Sequence, residues 1–131
     1  MNAFRYIPHS IMQSERHDKI SAVVYAALQA ADPAAAVLRS VRRAGSRGMV
    51  GDASYDLDAA RRVLVIGVGK AVLSMAAGMA AILGDRLDGG LLISKHAPGQ
   101  NDPALPSRLA VMTGEHPVPG EGSLEATRAL V

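Results

Sequence analysis

The 131-residue chain contains no cysteine and no tryptophan. Without thiols it cannot form disulfides, thiolate metal sites or a cysteine nucleophile, and it suits a reducing cytoplasm. Aromatic residues make up only 3% of it. A base-stacking surface of the kind that single-stranded nucleic-acid binders use is therefore not expected. An excess of one charge is also missing: the formal net charge is +2, too small to argue for a polyanionic partner. Arg39, Arg42, Arg43 and Arg47 do cluster, and they read as the cationic end of a helix that complements its dipole. No apolar run approaches the roughly 20 residues of a membrane span. The opening "MNAFRYIPHSIMQSERHDK" lacks the apolar core of a signal peptide. Residues 1–16 read as a loose leader, and the expectation is a cytoplasmic protein with neither membrane nor nucleic acid as partner.

What is present is hydrophobic: 49% of the chain, drawn from Ala, Val, Leu, Ile and Met. At this length one ordinary domain can bury a real core. From His17 the pattern is helical, with Ile20, Val23, Val24, Ala27 and Leu28 on one face. Asp32-Pro33 punctuates it, Asp32 as a cap and Pro33 in a first turn. A second helix is predicted over "PAAAVLRSVRRAG", burying Val37, Leu38 and Val41 and stopping at Gly45. "SRGMVGDASYDLDAA" reads as a loop by composition.

The character then changes. "RRVLVIGVG" is a short β-branched run ending in glycines, the pattern of a strand buried on both faces of a parallel sheet. "KAVLSMAAGMAAILGD" follows as a helix ending near Gly84, then "LDGGLLISK" and "SRLAVMTG" as two more strands. "SLEATRALV" begins a further helix, with Ser123 as its cap. The fold class this predicts is α/β: a three-layer α/β/α, Rossmann-like domain with a mainly parallel sheet, preceded by two helices. The last helix stops within an apolar pattern, and three strands leave open sheet edges. The chain therefore reads as incomplete at its C-terminal end, with the edges open to cover by a second copy in a homo-oligomer.

In open α/β sheets ligands bind beyond the carboxyl ends of the strands. Gly67, Gly69 and Lys70 follow the first strand there, Lys95 and His96 the second, and Gly114, Glu115, His116 and Pro117 the third. Lys70 is one of only three lysines, against eleven arginines. Glycines permit a close approach, the helix start offers free N–H groups, and the lysine adds charge, so the natural partner is a carboxylate or phosphate. Gly-Val-Gly-Lys-Ala is neither a dinucleotide fingerprint, for Val72 stands where a third glycine belongs, nor a Walker A loop. Taken alone it also fits a tight turn with a solvated lysine. The prolines of "TGEHPVPGEGS" stiffen a loop that holds Glu115 and His116 at the sheet edge. They read there either as a hydrogen-bonding pair for a substrate or as a rigid surface turn. His96 and His116 lack the carboxylates or helical spacing that would support a metal site.

In order, "AALQAADPAAAV", "VLVIGVGKAVLSMAAGMAAILGD", "GGLLISK" and "GEHPVPGEG" resemble the amino-terminal domain of the glycerate 2-kinases, the family with a MOFRL carboxy-terminal domain. The resemblance runs from about Ile20 to the end. It implies phosphorylation of D-glycerate on its 2-hydroxyl by ATP with Mg2+; some members carry the older label hydroxypyruvate reductase. It implies that Lys70 is the active-site lysine of the Gly-Lys-Ala motif, that Lys95 matches the lysine after the second strand, and that His116-Pro117 is the family's His-Pro pair. Gly120 departs from the family pattern, which has Asp there. The Ser-Gly-Gly-rich nucleotide loop and the MOFRL domain have no counterpart in these residues, so turnover by this chain alone is not expected. Two other classes stay open: a sugar-phosphate isomerase-type binding domain, and a non-catalytic remnant that only folds or associates.

Overall fold

The computed structural model describes residues 16–131. The proposed leader, apart from Arg16, lies outside the described residues. The chain divides at Asp32-Pro33, one compact unit ending at Asp32 and a second running from Pro33 to Val131. The division falls at the Asp32-Pro33 punctuation. The first unit contributes helix α1, His17–Ala30. It forms where the periodicity places it, but none of its residues is buried and Val23 is exposed.

The second unit opens with helix α2, Pro33–Ser40, eight residues long. It ends five residues earlier than expected. Val37 is buried, Leu38 is exposed, and Val41 already belongs to a strand. Strands β1 (Val41–Ala44), β2 (Arg47–Val50) and β3 (Ala53–Asp56) then form an antiparallel sheet where composition pointed to a helix end and a loop. Ala44 pairs with Arg47, and Val50 with Ala53, so each hairpin closes with two residues, Gly45-Ser46 and Gly51-Asp52. Both glycines have positive φ, 61° and 55°. A two-residue hairpin loop needs that conformation and glycine adopts it freely. The arginine cluster is corrected with it. Arg43 lies on β1 and donates to the Leu83 carbonyl and, at 2.6 Å, to the Asp85 carboxylate. It complements the C-terminal end of a different helix, the one that ends at Leu83, and not of its own.

That helix, α3 (Val72–Leu83), lies between strands β4 (Leu64–Val68) and β5 (Gly89–Ser94) and is followed by a 3-10 turn at Gly84–Arg86. With β6 (Leu109–Thr113) these make a parallel sheet in the order β4-β5-β6. Each strand falls where the apolar runs predict it, and the class is mixed α/β of the Rossmann type. The core sits on the α3 side of this sheet. Val65, Leu92 and Leu109 from the strands meet Leu73, Ala76 and Leu83 of the helix, with Leu57 and Leu87 from the connections. Helix α2 packs on α3 at Gly78, where an added Cβ would lie 3.2 Å from the Ala34 carbonyl. A last helix, α4 (Glu121–Arg128), packs against β6.

β4 is not buried on both faces. Val65 points into the core, while Leu64, Ile66 and Val68 on the alternate face are 47%, 59% and 70% exposed. The apolar run specified a strand, but it could not specify that one side would remain uncovered. No single helix among the described residues is long and apolar enough to cross a membrane.

Candidate functional site

The parallel sheet decides which residues meet. In a parallel ladder all carboxyl ends lie on one edge, so the residues after β4, β5 and β6 are neighbours in space. Backbone bonds fasten the three ends together. The Gly69 N–H donates to the Ile93 carbonyl at 3.0 Å, and the Gly114 N–H donates to the Ser94 carbonyl at 2.8 Å. Above them opens a cavity of about 410 Å³, within the range of small-molecule sites. Gly69, Lys70, Lys95, Glu115 and His116 all line it. With Gly114, which also lines it, these are six of the nine strand-end residues singled out in the sequence.

Gly67 and Pro117 do not line it. Gly67 faces the other way, and an added Cβ would lie 2.5 Å from the Val72 Cγ2. It borders a separate apolar groove of about 790 Å³ between β4, α2 and α3, which Lys70 also borders. Pro117 follows a cis peptide bond to His116, and Pro119 lines the cavity instead. His96 turns aside, its Nδ1 2.9 Å from the Ala97 carbonyl and 3.7 Å from the Asp102 carboxylate. The cavity also takes Ser94, Ile93 and, from α4, Ser123, Thr127 and Leu130. Ile93 alternates with Leu92, so α4 serves the sheet face opposite α3. The α4 residues could have been found from their spacing: Ser123 and Thr127 are four apart and share a helix face.

Lys70 and Lys95 make the rim cationic, and both side chains are exposed. Helix α3 begins two residues after Lys70, so its positive end lies beside that lysine, although Ala71 and Val72 themselves line the neighbouring apolar groove. Glu115 is the acidic member of the lining, and its carboxylate is committed elsewhere. It accepts hydrogen bonds from the Ser123 hydroxyl and N–H, both at 2.7 Å, and from the Gly122 N–H at 2.9 Å. The Ser123 hydroxyl first, then backbone N–H groups, hold its carboxyl down at about 2 from an ordinary 4.5. Helix α4 starts at Glu121, two residues before the expected cap. Its N-cap is Gly120, which has no side chain to cap with.

The lowered carboxyl has a consequence in acid. A group whose folded value lies below its unfolded one stabilises the fold above the unfolded value and loses that contribution as pH falls. The stabilisation from Glu115 is thus complete above about 4.5 and is lost between there and about 2. Asp85, lowered by its hydrogen bond and charge contact with Arg43, acts in the same direction. Thermal unfolding followed over this range should show the midpoint falling, and Glu115→Gln should flatten the fall. An equally steep fall in the variant would show that Glu115 does not titrate with folding.

No group of three or more His, Asp or Glu side chains that could hold a metal ion occurs among the described residues. The charge that Lys70 and Lys95 place at the rim is of the sign that complements anionic groups.

Residues 19–131 match the family described as Domain of unknown function (DUF4147). The chain belongs to the DUF4147 family. This domain is the one found in the amino-terminal regions of the glycerate 2-kinases with a MOFRL domain. The DUF4147 chain is also similar to the crystal structure of the PH0495 protein from Pyrococcus horikoshii OT3, at 30% identity and a TM-score of 0.67. The match covers 80% of this chain and 22% of that one, so the DUF4147 chain spans about a fifth of the length of that protein. None of the curated proteins compared matches it.

Proposed function

We propose that this DUF4147 chain supplies the substrate-holding part of a glycerate 2-kinase, which moves the γ-phosphoryl of ATP to the 2-hydroxyl of D-glycerate. The observation that carries the reading is the convergence of Lys70, Lys95 and His116 on one cavity at the carboxyl edge of the sheet, in a chain of this family. Lys70 with the start of α3 receives the glycerate carboxylate. Lys95 faces the phosphoryl group as charge builds on it. His116 bonds the 2-hydroxyl and can take its proton as the new O–P bond forms and the bond to ADP breaks. Phosphoryl transfer asks a protein mainly to position and neutralise, and these three residues do that. ATP enters as the co-substrate, with Mg2+ as its metal.

D-glycerate titrated into the isotope-labelled protein should move the amide signals of Gly69, Ser94 and Gly114, which surround the cavity. L-glycerate should move them less. Unmoved signals at saturating D-glycerate would overturn the reading. A response to a sugar phosphate alone would favour an isomerase-type binding domain instead.

A further inference from the structure

We propose that Glu115 is a positioning residue: its carboxylate stands in for the helix cap that Gly120 lacks, and by doing so it holds His116 at the cavity. Four observations converge on this. First, the Gly120 N-cap position has no side-chain acceptor. Second, the two amides that an N-cap side chain normally receives, those of the second and third helical residues, are the Gly122 and Ser123 N–H groups, and both donate to Glu115. The Gly120 N–H adds a longer contact at 3.3 Å. Third, the bond is reciprocal. The Ser123 hydroxyl donates to the Glu115 carboxylate at 2.7 Å and accepts the Glu115 N–H at 2.9 Å. The loop after β6 and the first turn of α4 are thus tied in both directions.

The fourth observation is spatial. Gly120 has φ −129° and ψ −156°, extended backbone that any residue adopts. What a side chain there would meet is the Glu115 carboxylate, because an added Cβ would lie 3.1 Å from its carboxyl carbon. At Gly122 it would lie 3.0 Å from the Glu115 Oε1. The carboxylate therefore fills the space where side chains of the cap would stand. Gly114, His116 and Pro119 from the loop, and Ser123 and Thr127 from α4, are adjoining walls of one cavity. Glu115 is the side chain that joins those walls, and its oxygens are spent on the joint and not on a ligand. The capping role stands independently; its effect on binding rests on the reading that the cavity takes D-glycerate.

The test compares the intact chain with Glu115→Ala, Gly120→Asp and the double variant, with Glu115→Gln as a milder background should Glu115→Ala not fold. Gly120→Asp should lower the melting temperature of the parent, because two carboxylates then compete for the same amides. In the Glu115→Ala background it should raise it, because aspartate is a good N-cap. Glu115→Ala should shift the His116 ring and Gly114 amide signals and weaken D-glycerate binding by roughly tenfold through misplacement. The double variant should recover both. A Gly120→Asp effect of the same sign in both backgrounds would overturn the capping role. Reversal of sign with unmoved His116 signals would overturn the positioning role. Lost D-glycerate binding with unmoved signals would make Glu115 a direct ligand contact. If the parent binds no D-glycerate, the functional reading fails, and the sign reversal and the His116 signals still decide this proposal.

Discussion

Lys70→Ala should weaken D-glycerate binding roughly ten- to over a hundredfold and leave the fold as it is. The side chain is exposed and stands at the junction of β4 and α3, so its removal opens no cavity in the core. Substitutions of this kind change stability by less than about 0.5 kcal/mol. Its value lies in charge. A hydrogen bond between a lysine and an anion contributes about 1.5–3 kcal/mol, or roughly ten- to over a hundredfold in affinity. The end of α3 would remain and would hold the anion weakly. Lys70→Arg should fall between the two, because it keeps the charge but presents a planar fork on a different stem. Calorimetric titration with D-glycerate, beside a thermal unfolding curve, separates the outcomes. Unchanged affinity with an intact fold would remove Lys70 from the site and return its loop to a solvated turn. Loss of both fold and binding would show that the lysine is structural.

Gly90→Ala should destabilise the protein by about 3 kcal/mol or more. Gly90 lies on β5, the central strand, opposite Val65 of β4 and Leu109 of β6. An added Cβ would stand 2.0 Å from the Val65 carbonyl oxygen and 2.8 Å from the Leu109 Cδ2. The leucine could turn away, but the carbonyl is part of the ladder and cannot. The strands must then separate, with loss of pairing at the centre of the parallel sheet. For a domain whose total stability is roughly 5–15 kcal/mol, that is a large fraction. The melting temperature should fall by about 10 °C or more. Gly99→Ala is the matching control. Its added Cβ would find only Asp102 Oδ2 at 3.8 Å, an ordinary contact, and stability should change by less than about 0.5 kcal/mol. Equal effects of the two substitutions would mean that the strands adjust to the methyl group.

The two predictions test different layers. Gly90 concerns whether three strands can lie close enough to align their carboxyl ends. Lys70 concerns what those aligned ends then bind. The cavity depends on the sheet, because Gly69, Ser94 and Gly114 are held by backbone bonds that continue the ladder beyond the strands.

The sequence alone was enough for the parallel sheet and helix α3. Continuous β-branched runs between glycines suit strands, and a run of small apolar residues between two of them suits a crossover helix. The meeting of Lys70, Lys95 and His116 was legible for the same reason: a parallel sheet places every carboxyl end on one edge. The hairpins β1–β2–β3 were encoded but were misread. Gly-Ser and Gly-Asp are two-residue turn signals, yet the flanking residues Arg43, Arg47, Ser54 and Asp56 are polar and hid the strands. Only the tertiary structure decided where Arg43 went, since its acceptors at Leu83 and Asp85 lie some forty residues away. It also left one face of β4 open, which no local pattern records. And it brought the Glu115 carboxylate, which the sequence left open between a substrate-facing group and part of a rigid turn, onto the first amides of α4, because these come into range only when the loop folds back on the helix it precedes.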